Sequence, residues 1–471
     1  HHPPEFRLLE GLGGHRGRLV SAELVCGPTL LRLGPRGNLY VYGVAVSLLK
    51  TYGARLGGAL ARRHVRKRGI DLSRISFIPE ETKRPLQREG TDPVAEMAEY
   101  RAGAPLRKLD LPFAFDAYLI TGHAEAREVL TSRDAYSNDI RHLFSGSGPA
   151  TSDDIGGLGF TDPPLHTRLR KIVTPEFTMR RRARLEPMIE GIADEALDAL
   201  EAAGPGADLA KHVAFPVPFN TICALLGLDY DDREEFAKLG SQRFDATNGA
   251  AAAFGAVSAQ REFLFDAVAR QRVTPGPGLI GQIIESEGDQ LSDVDLAGLA
   301  AGVCTGGCET TAGMIARSTI VLHRDPTYAD LERSGNRETV DRVIEELLRY
   351  LAVVQVAFPR FAKQDMELFG TRLKKGDVVL ASLSAANRDP QTAGERPDEF
   401  DPYRVPTSGH LAFGHGIHRC IGAELARMEL RIVLPKLLRR FPALELAVPE
   451  SDLEFRQLSF VFGIDELPVT W

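Results

Sequence analysis

FGHGIHRCIG, residues 413–422, places one cysteine in a stretch that also holds three glycines and two histidines. Three glycines in ten residues indicate a tightly turned backbone that comes close to another group. A cysteine in such a loop has three chemical uses: half of a disulfide, a nucleophile, or a metal ligand. The composition of the chain and the residues around Cys420 separate these uses.

The composition favours a globular protein in a reducing compartment. The chain has 471 residues, of which 43% are hydrophobic and 26% charged, which is enough for one large domain. Its net charge of −7 gives no overall basic character, so the sequence predicts no nucleic-acid partner. The five cysteines are few, odd in number and scattered. We therefore expect a cytoplasmic protein in which Cys420 is not half of a disulfide.

The residues that follow Cys420 favour a metal ligand. IGAELARMELRIVL (421–434) has the spacing of an amphipathic helix, so Cys420 lies at a helix N-terminus, where the dipole and free N–H groups stabilise a thiolate. A nucleophile needs a base, and His415 and His418 are near, but the glycines indicate that the loop approaches a large flat group. Structural zinc needs companion ligands, and no CxxC or HxxxH spacing supplies them. A single thiolate suits an iron whose other ligands come from a macrocycle.

FGHGIHRCIG resembles the heme-binding loop of cytochrome P450, because it matches the pattern F-G-x-G-x-H-x-C-x-G at every fixed position. The resemblance covers about residues 92–471. It implies heme b as the cofactor and a mainly α fold with a smaller β portion, in which the heme lies between a long central helix and the cysteine loop. It implies that Cys420 is the metal ligand and that four other loop residues bind the heme: Phe413, Gly414, His418 and Gly422.

A long helix is predicted over residues 293–323. Ser292, with Asp295 three residues later, is typical of an N-cap, and Asp325-Pro326 ends the helix. Each glycine in a helix interior costs about 1 kcal/mol relative to alanine. Several glycines here therefore indicate a close approach of another group to this helix, at positions 298, 302, 306, 307 and 313.

The sequence GGCET, which begins at Gly306, resembles the oxygen-binding groove of the family. Helical spacing places Gly302, Thr305, Gly306, Glu309 and Thr310 on one face. The family uses an acid–alcohol pair here to handle protons, so the resemblance implies that Glu309 and Thr310 are catalytic and that Gly306 contacts the heme. The alternative is a tight helix crossing with a solvated Glu309. The cysteine loop favours the groove.

Cations at family spacing are expected to bind the heme propionates. DPPLHTRLRK resembles the segment that supplies a propionate-binding histidine and arginine, here His166 and Arg170. FPRFAKQDMEL places Arg360 where another such arginine is expected, and His418 completes the set. Solvation at the surface is the alternative for any one of them.

EELLRY contains Glu346 and Arg349 one helical turn apart. The pair resembles the family motif E-x-x-R, whose third member would be Arg404 in EFDPYR. The resemblance implies a structural triad behind the cysteine loop.

Residues 1–90 are predicted to form an N-terminal extension before a heme-thiolate monooxygenase domain at 91–471. The extension begins with HHPPEF, which resembles a tag remnant, and ends with a polar linker at 79–90. Residues 39–69, apolar and then basic, allow two interpretations: a helix packed on the main domain, or a peripheral membrane contact. The apolar part is too short to span a membrane.

The resemblance implies a monooxygenase that inserts one atom of O2 into a small lipophilic substrate by hydroxylation or epoxidation. Electrons are expected from a separate ferredoxin and ferredoxin reductase, since no reductase domain follows. A peroxygenase or decarboxylase of the same superfamily typically has arginine and proline in place of Glu309 and Thr310, and a heme sensor or carrier needs no such pair. The pair therefore favours the monooxygenase. The walls of the substrate pocket are expected to come from segments 131–160, 240–270, 353–358 and 458–465 and from Gly302 and Thr305.

Overall fold

A computed structural model describes residues 79–110, 116–140, 157–177, 179–228 and 250–471, and three strands nearer the N-terminus. For these strands and for residues 179–183 and 250–261 only the backbone is described. Contacts divide the chain into two compact units, His1–Gly69 and Ile70–Trp471. In the first unit, β1 (Phe6–Leu8), β2 (Ala22–Cys26) and β3 (Thr29–Arg32) form an antiparallel sheet. Residues 39–69, with their predicted membrane contact, lie outside the described residues.

The second unit is mainly helical with a smaller β portion, as predicted. It begins with short elements: α1 (Glu80–Lys83), β4 (Arg88–Glu89), β5 (Asp92–Pro93), α2 (Glu96–Ala102), β6 (Arg107–Leu109), β7 (Ala117–Ile120), α3 (His123–Thr131) and β8 (Tyr136–Ser137). Helices follow: α4 (Leu165–Val173), α5 (Met179–Ala203), α6 (Pro216–Leu226), α7 (Ala250–Val273), α8 (Leu279–Glu287), α9 (Asp293–His323), α10 (Pro326–Arg333) and α11 (Arg337–Leu351). The C-terminal part contains β9 (Arg360–Ala362), β10 (Met366–Leu368), β11 (Thr371–Leu373), β12 (Val378–Ala381), α12 (Leu383–Ala386), α13 (Pro390–Ala393), α14 (Ala423–Arg440), β13 (Glu445–Leu446) and β14 (Val469–Thr470).

Helix α9 is the predicted long helix, and its ends form as the sequence indicates. Ser292 Oγ accepts a hydrogen bond from the Asp295 N–H at 3.1 Å, and Asp325 caps the next helix. The 31 residues of α9 give a length of about 46 Å. It packs against α6, α7 and α14. A Cβ on Gly307 would overlap the Ile222 side chain of α6, so glycine is what allows this close contact.

A five-stranded sheet lies in the β portion, in the order β6-β7-β12-β9-β8. β7 and β12 are parallel, and the other neighbours are antiparallel. Leu119 and Ile120 of β7 and Val379 of β12 are fully buried, which explains why this apolar stretch forms a strand. The sheet fixes β9, and with it Arg360, one of the residues expected to bind the cofactor.

Residues 79–90, predicted to be a linker, fold into α1, a 3₁₀ turn and β4 of the second unit. Arg88 is 5% exposed, and its Nε donates to Gln355 Oε1 at 2.7 Å. The polar composition of 79–90 predicts a linker, and arginine is rarely buried. Its partners here lie far along the chain, where no local pattern reveals them. The functional boundary at residue 90 stays a prediction.

Candidate active site

The loop 413–422 closes on itself just before α14. The Cys420 N–H donates to the Phe413 carbonyl at 2.9 Å. Gly414 and Gly416 have φ angles of 65° and 71°, a region that favours glycine. A Cβ on Gly416 would also overlap the Leu130 carbonyl at the end of α3. Because α14 begins at Ala423, Cys420 lies just before the first helical turn, as predicted.

Guanidinium groups lie beside the Cys420 thiol. Arg170 of α4 donates through Nη2 to the Arg419 carbonyl at 2.7 Å, which fixes its guanidinium against the loop. Burial raises the pKa of the Cys420 thiol, while the Gly422 N–H, Arg170 and Arg419 lower it. The residue is nevertheless exposed on one side. The surrounding protein raises the pKa of the thiol, and the exposed side of Cys420 allows a ligand to approach. A metal that binds this sulfur would displace its proton.

Two of the predicted histidines meet beside the loop. The ring centroids of His166 and His418 are 4.2 Å apart, and His418 Nδ1 lies 3.2 Å from the Leu158 carbonyl, to which it can donate. His166 is buried, yet neither ring nitrogen has a hydrogen-bond partner among the described residues. Burial lowers the pKa of both imidazoles, that of His418 to about 3. Both rings are therefore neutral at pH 7. This differs from the expectation that His166 is a cation.

The positive charge beside His166 and His418 comes from Arg170 and Arg360. Burial lowers the pKa of Arg360 to about 10, so its guanidinium still carries a charge at pH 7. Arg360 Nη1 donates to the Phe358 carbonyl at 3.0 Å, which leaves further N–H groups for an anion. Two neutral imidazoles and two guanidinium groups form a set that suits carboxylates.

The glycine face of α9 is open, and its threonine hydroxyls bond to their own helix. Gly302 and Gly306 are exposed, and a Cβ on Gly306 would meet no neighbouring atom within 4 Å. Thr310 Oγ1 donates to the Gly306 carbonyl at 2.6 Å, and Thr305 Oγ1 to the Ala301 carbonyl at 2.7 Å. A hydroxyl thus lies one helical turn from an open position.

Glu309 is buried in an ion pair and is not solvated. Its side chain is 9% exposed, and Oε2 accepts from Arg456 Nη1 at 2.8 Å. Arg456 also pairs with Asp465 and belongs to the C-terminal hairpin, residues 455–464. Glu309 is predicted to share one face with Thr310, but consecutive helical residues point 100° apart, and the Glu309 side chain reaches Arg456 of the hairpin. Arg456 was missed, because it lies 147 residues away and no motif marks it.

Aromatic rings stand beside this face of α9. A Cβ on Gly157 would lie 3.8 Å from Gly302 Cα, so the loop 157–160 rests on α9. The Phe160 and Phe358 rings meet edge to face at 4.8 Å, and Phe358 is 49% exposed. Two predicted pocket segments therefore meet here. Residues 141–156 and 240–249 of the other predicted walls lie outside the described residues.

Known proteins resemble this chain over most of its length. A family model described as Cytochrome P450 matches residues 279–468. Cytochrome P450 165B3 of Amycolatopsis orientalis is 39% identical over 404 residues, which cover 84% of this chain and 100% of the relative. The chain belongs to the cytochrome P450 family.

Solved P450 structures have the same fold. The structure of OxyC, described as implicated in an oxidative C–C coupling reaction during vancomycin biosynthesis, is 37% identical with a TM-score of 0.74 and covers 82% of this chain and 96% of its own. The mycinamicin VIII methyl hydroxylase MycCI of Micromonospora griseorubida, bound to mycinamicin VIII, is 30% identical with a TM-score of 0.75 and covers 82% and 99%. The predicted P450 fold and monooxygenase class are confirmed, and heme b is the cofactor. No helix in the described part of the chain is long and apolar enough to cross a membrane.

The residues of this P450 fit heme b. Cys420 offers an exposed sulfur at a helix start, and Gly306 offers an open face without a side chain. His166 is a buried imidazole without a described partner, as expected where a polar group of a cofactor is accepted. Arg170 and Arg360 supply charge for carboxylates.

The predicted triad is present behind the cysteine loop. Arg349 Nε lies 2.7 Å from Glu346 Oε2, and Arg404 Nε lies 3.2 Å from Glu346 Oε1, with all three side chains buried. Arg349 also donates to the Asn387 and Pro397 carbonyls. The triad therefore ties α11 to the segment that leads into the loop.

A second charged group supports the loop from the other side. The Arg427 guanidinium lies 4.6 Å from the Phe413 ring centroid and donates through Nη2 to Glu345 at 2.8 Å. His410 Nε2 lies 3.1 Å from the same carboxylate. Burial raises the pKa of Glu345, but hydrogen bonds from Arg427 and His410 outweigh it and lower this pKa to about 2. Glu345 thus stabilises the fold most as a carboxylate.

Glu345→Gln should lower the free energy of unfolding at pH 7 by about 1–2 kcal/mol, a value reduced for solvent screening of a half-exposed carboxylate. A depressed pKa gives stability that is full above the ordinary value of 4.5 and is lost as the pH falls towards about 2. The deficit measured by urea unfolding should therefore stay constant between pH 7 and pH 5 and shrink as the pH falls from about 5 towards 3. Glu424→Gln, which removes a different Arg427 partner, is the control and should cost less. A deficit independent of pH would contradict the assignment.

Proposed function

We propose that this P450 hydroxylates or epoxidises a lipophilic organic substrate in a pocket over the glycine face of α9. The observation that carries the proposal is the open position at Gly306 beside the Thr310 hydroxyl, with the Glu309 acid one residue before it. Peroxygenases and decarboxylases of the superfamily, and non-catalytic heme carriers, do not need this pair. Its presence supports an enzyme that uses O2.

Cys420 is the proposed iron ligand, because it is an exposed residue at a helix start and its thiol lies near Arg170, Arg419 and Arg427. Phe413, Gly414 and Gly422 would form the surface against which the macrocycle packs. The propionates would be held by the guanidinium groups of Arg170 and Arg360 and by an N–H of His166 and of His418. A neutral imidazole has a single N–H, so His418 would release the Leu158 carbonyl to bind a carboxylate. When bound, the heme supplies the oxygen chemistry, which thiolate ligation promotes.

Thr310 and Glu309 are proposed to handle protons. The Thr310 hydroxyl now donates to its own helix, and rotation about one bond would redirect it towards the open face. Glu309 lies in an ion pair with Arg456, which also pairs with the exposed Asp465. A guanidinium stays protonated and relays no proton, so Glu309 would take up or release a proton only when it leaves this ion pair.

A second function, oxidative coupling of aromatic rings, is supported by one observation. Phe160 and Phe358 present an edge-to-face pair beside α9, a surface on which flat rings pack well. The similarity to OxyC points in the same direction. Screening a compound library for Soret shifts and then analysing the products separates the two functions: hydroxylation adds one labelled oxygen from O2, whereas coupling removes two hydrogens and adds none.

The electron donor is proposed to be a ferredoxin, with its reductase, in the cytoplasm. A cavity of about 230 Å³ opens beside the cysteine loop, and its lining contains three arginines, Arg127, Arg419 and Arg427, and one carboxylate, Glu345, which pairs with Arg427. Positive charge so close to the loop suits an acidic iron–sulfur protein. The scattered cysteines, free where they are described, agree with a reducing compartment.

Reversing the charge of Arg127 should weaken ferredoxin binding. Arg127→Glu should raise the KM for ferredoxin about tenfold and leave the maximal rate nearly unchanged, since Arg127 lines the cavity and lies outside the proposed heme site. NADPH oxidation at varied ferredoxin and salt concentrations is the measurement. Lys374→Glu, outside the cavity lining, is the control. Equal effects of the two variants would argue against docking at this cavity.

Replacing Cys420 tests the iron ligand. The reduced CO complex should show the red-shifted Soret band of thiolate ligation, and Cys420→Ser should lose it because a hydroxyl is a poor substitute for thiolate. Cys223→Ser, a change at a buried cysteine of α6, should keep the band. A wild-type protein that purifies without heme after heme-supplemented expression would refute the proposed site.

Thr310→Ala should leave the heme content nearly normal and divert more of the consumed O2 to hydrogen peroxide, because a hydroxyl that manages protons is gone. Glu309→Gln should slow NADPH oxidation itself, since an amide cannot relay protons. The measurement is product formed and peroxide released per NADPH oxidised, with the substrate found in the library screen. Thr319→Ala is the control, because this buried threonine of α9 also donates to the carbonyl four residues before it and lies outside the expected pocket walls. Unchanged coupling in Thr310→Ala would remove the hydroxyl from the mechanism.

A further inference from the structure

Two buried arginines meet away from the cysteine loop, at a junction of three chain segments. Arg88 of β4 is 5% exposed, and Arg317 of α9 is fully buried. Among the described residues neither guanidinium forms an ion pair with a carboxylate, and burial lowers the pKa of both groups. Buried charges of this kind need hydrogen bonds instead.

Arg88 connects the N-terminal part of the second unit to the end of α11. Its Nη1 donates to the Thr91 carbonyl at 3.2 Å, and its Nη2 to the Leu351 and Ala352 carbonyls, both at 3.3 Å. Its Nε donates to Gln355 Oε1 at 2.7 Å. One planar group thus fixes four acceptors at once, which a lysine ammonium cannot reproduce.

Arg317 connects the same carbonyls to the C-terminal hairpin. Its Nη2 donates to the Leu351 carbonyl at 3.1 Å and the Thr91 carbonyl at 3.4 Å, and its Nη1 donates to the Phe462 carbonyl at 3.1 Å. The guanidinium groups of Arg317 and Arg88 also lie over the Phe462 ring, at 4.3 and 5.1 Å from its centroid. Phe462 is therefore held by both cations.

The junction holds together two segments, each of which carries an exposed phenyl ring. The Phe462 N–H donates to the Val353 carbonyl at 2.8 Å, and the Gln355 N–H donates to the Phe460 carbonyl at 3.0 Å, so segments 351–358 and 458–462 are bonded together. Phe358 and Phe460 on these segments are 49% and 56% exposed. Both segments are among the expected pocket walls.

We propose that Arg88 and Arg317 are positioning residues that fix these two pocket walls from behind and so determine which bulky ligands the pocket accepts. The inference rests on the proposed function, because it takes both segments as walls of the pocket. Neither arginine touches the ligand. Their effect is to pre-organise backbone that does, which lowers the ordering cost of binding.

Two azole probes of different size test this in the full-length heme protein. Imidazole requires little more than the iron, whereas clotrimazole also contacts the pocket walls, and both give Soret shifts from which a Kd is obtained. In Arg88→Met the Kd for clotrimazole should rise about tenfold while that for imidazole stays within about twofold of wild type. In Arg88→Lys, which keeps the charge but not the planar donors, the Kd for clotrimazole should lie between the values of the wild type and of Arg88→Met.

Arg324→Met is the matched control. Arg324 also bonds to Thr91, through its hydroxyl, and to Glu450, but contacts neither wall segment, so its loss should lower the melting temperature without changing the ratio of the two Kd values. An unchanged ratio in Arg88→Met would overturn the inference, as would equal loss of both probes. If Arg88→Met does not retain heme, Arg88→Lys and Phe462→Leu carry the same ratio test. Absence of any imidazole shift in the wild type would instead refute the proposed heme site.

Discussion

The glycines of α9 allow one long helix to pack closely on several sides and still leave one position open. Gly307 lies against Ile222 of α6, Gly302 against Gly157, and Gly313 against the Phe462 carbonyl. Among the glycines of α9, Gly306 alone has no neighbouring atom within 4 Å of where a Cβ would stand. Each glycine costs about 1 kcal/mol of helix propensity, which close packing along the rest of α9 has to offset. The glycines of α9 therefore account both for its close packing against neighbouring segments and for the open position at Gly306.

Buried arginines are satisfied in two different ways in this fold. Behind the cysteine loop, Arg349 and Arg404 share the carboxylate of Glu346 and donate their remaining N–H groups to backbone carbonyls. At the other junction, Arg88 and Arg317 bond mainly to backbone carbonyls. Removing Glu346 leaves two buried guanidinium groups without a carboxylate, which costs several kcal/mol. Removing Arg88 or Arg317 leaves backbone carbonyls without their donors, so the segments that these arginines connect are held less firmly. The effect is on the positions of these segments more than on the net buried charge.

The sequence predicted what local patterns encode and missed what depends on distant contacts. The limits of α9 were predictable because Ser292 and Asp325 act within one turn of their own helix ends. The cysteine loop was predictable because its hydrogen bond and its glycine conformations lie within ten residues. The Glu309–Arg456 pair was not, since 147 residues separate its members. The burial of Arg88 and the neutrality of His166 likewise depend on neighbours from other segments.

The C-terminal hairpin joins the two proposed roles of the site. Near one end Arg456 holds the carboxylate of Glu309, and near the other Phe462 lies under the two buried guanidinium groups. Between them is Phe460, one of the exposed rings of the expected pocket wall. In the proposed function, a ligand that shifts this turn would also shift Arg456 and its ion pair with Glu309, because the Arg456 N–H donates to the Gly463 carbonyl across the hairpin. Under this proposal, substrate fit and proton handling would be coupled through one short hairpin, and a substitution in the turn would change coupling efficiency without direct contact with Glu309.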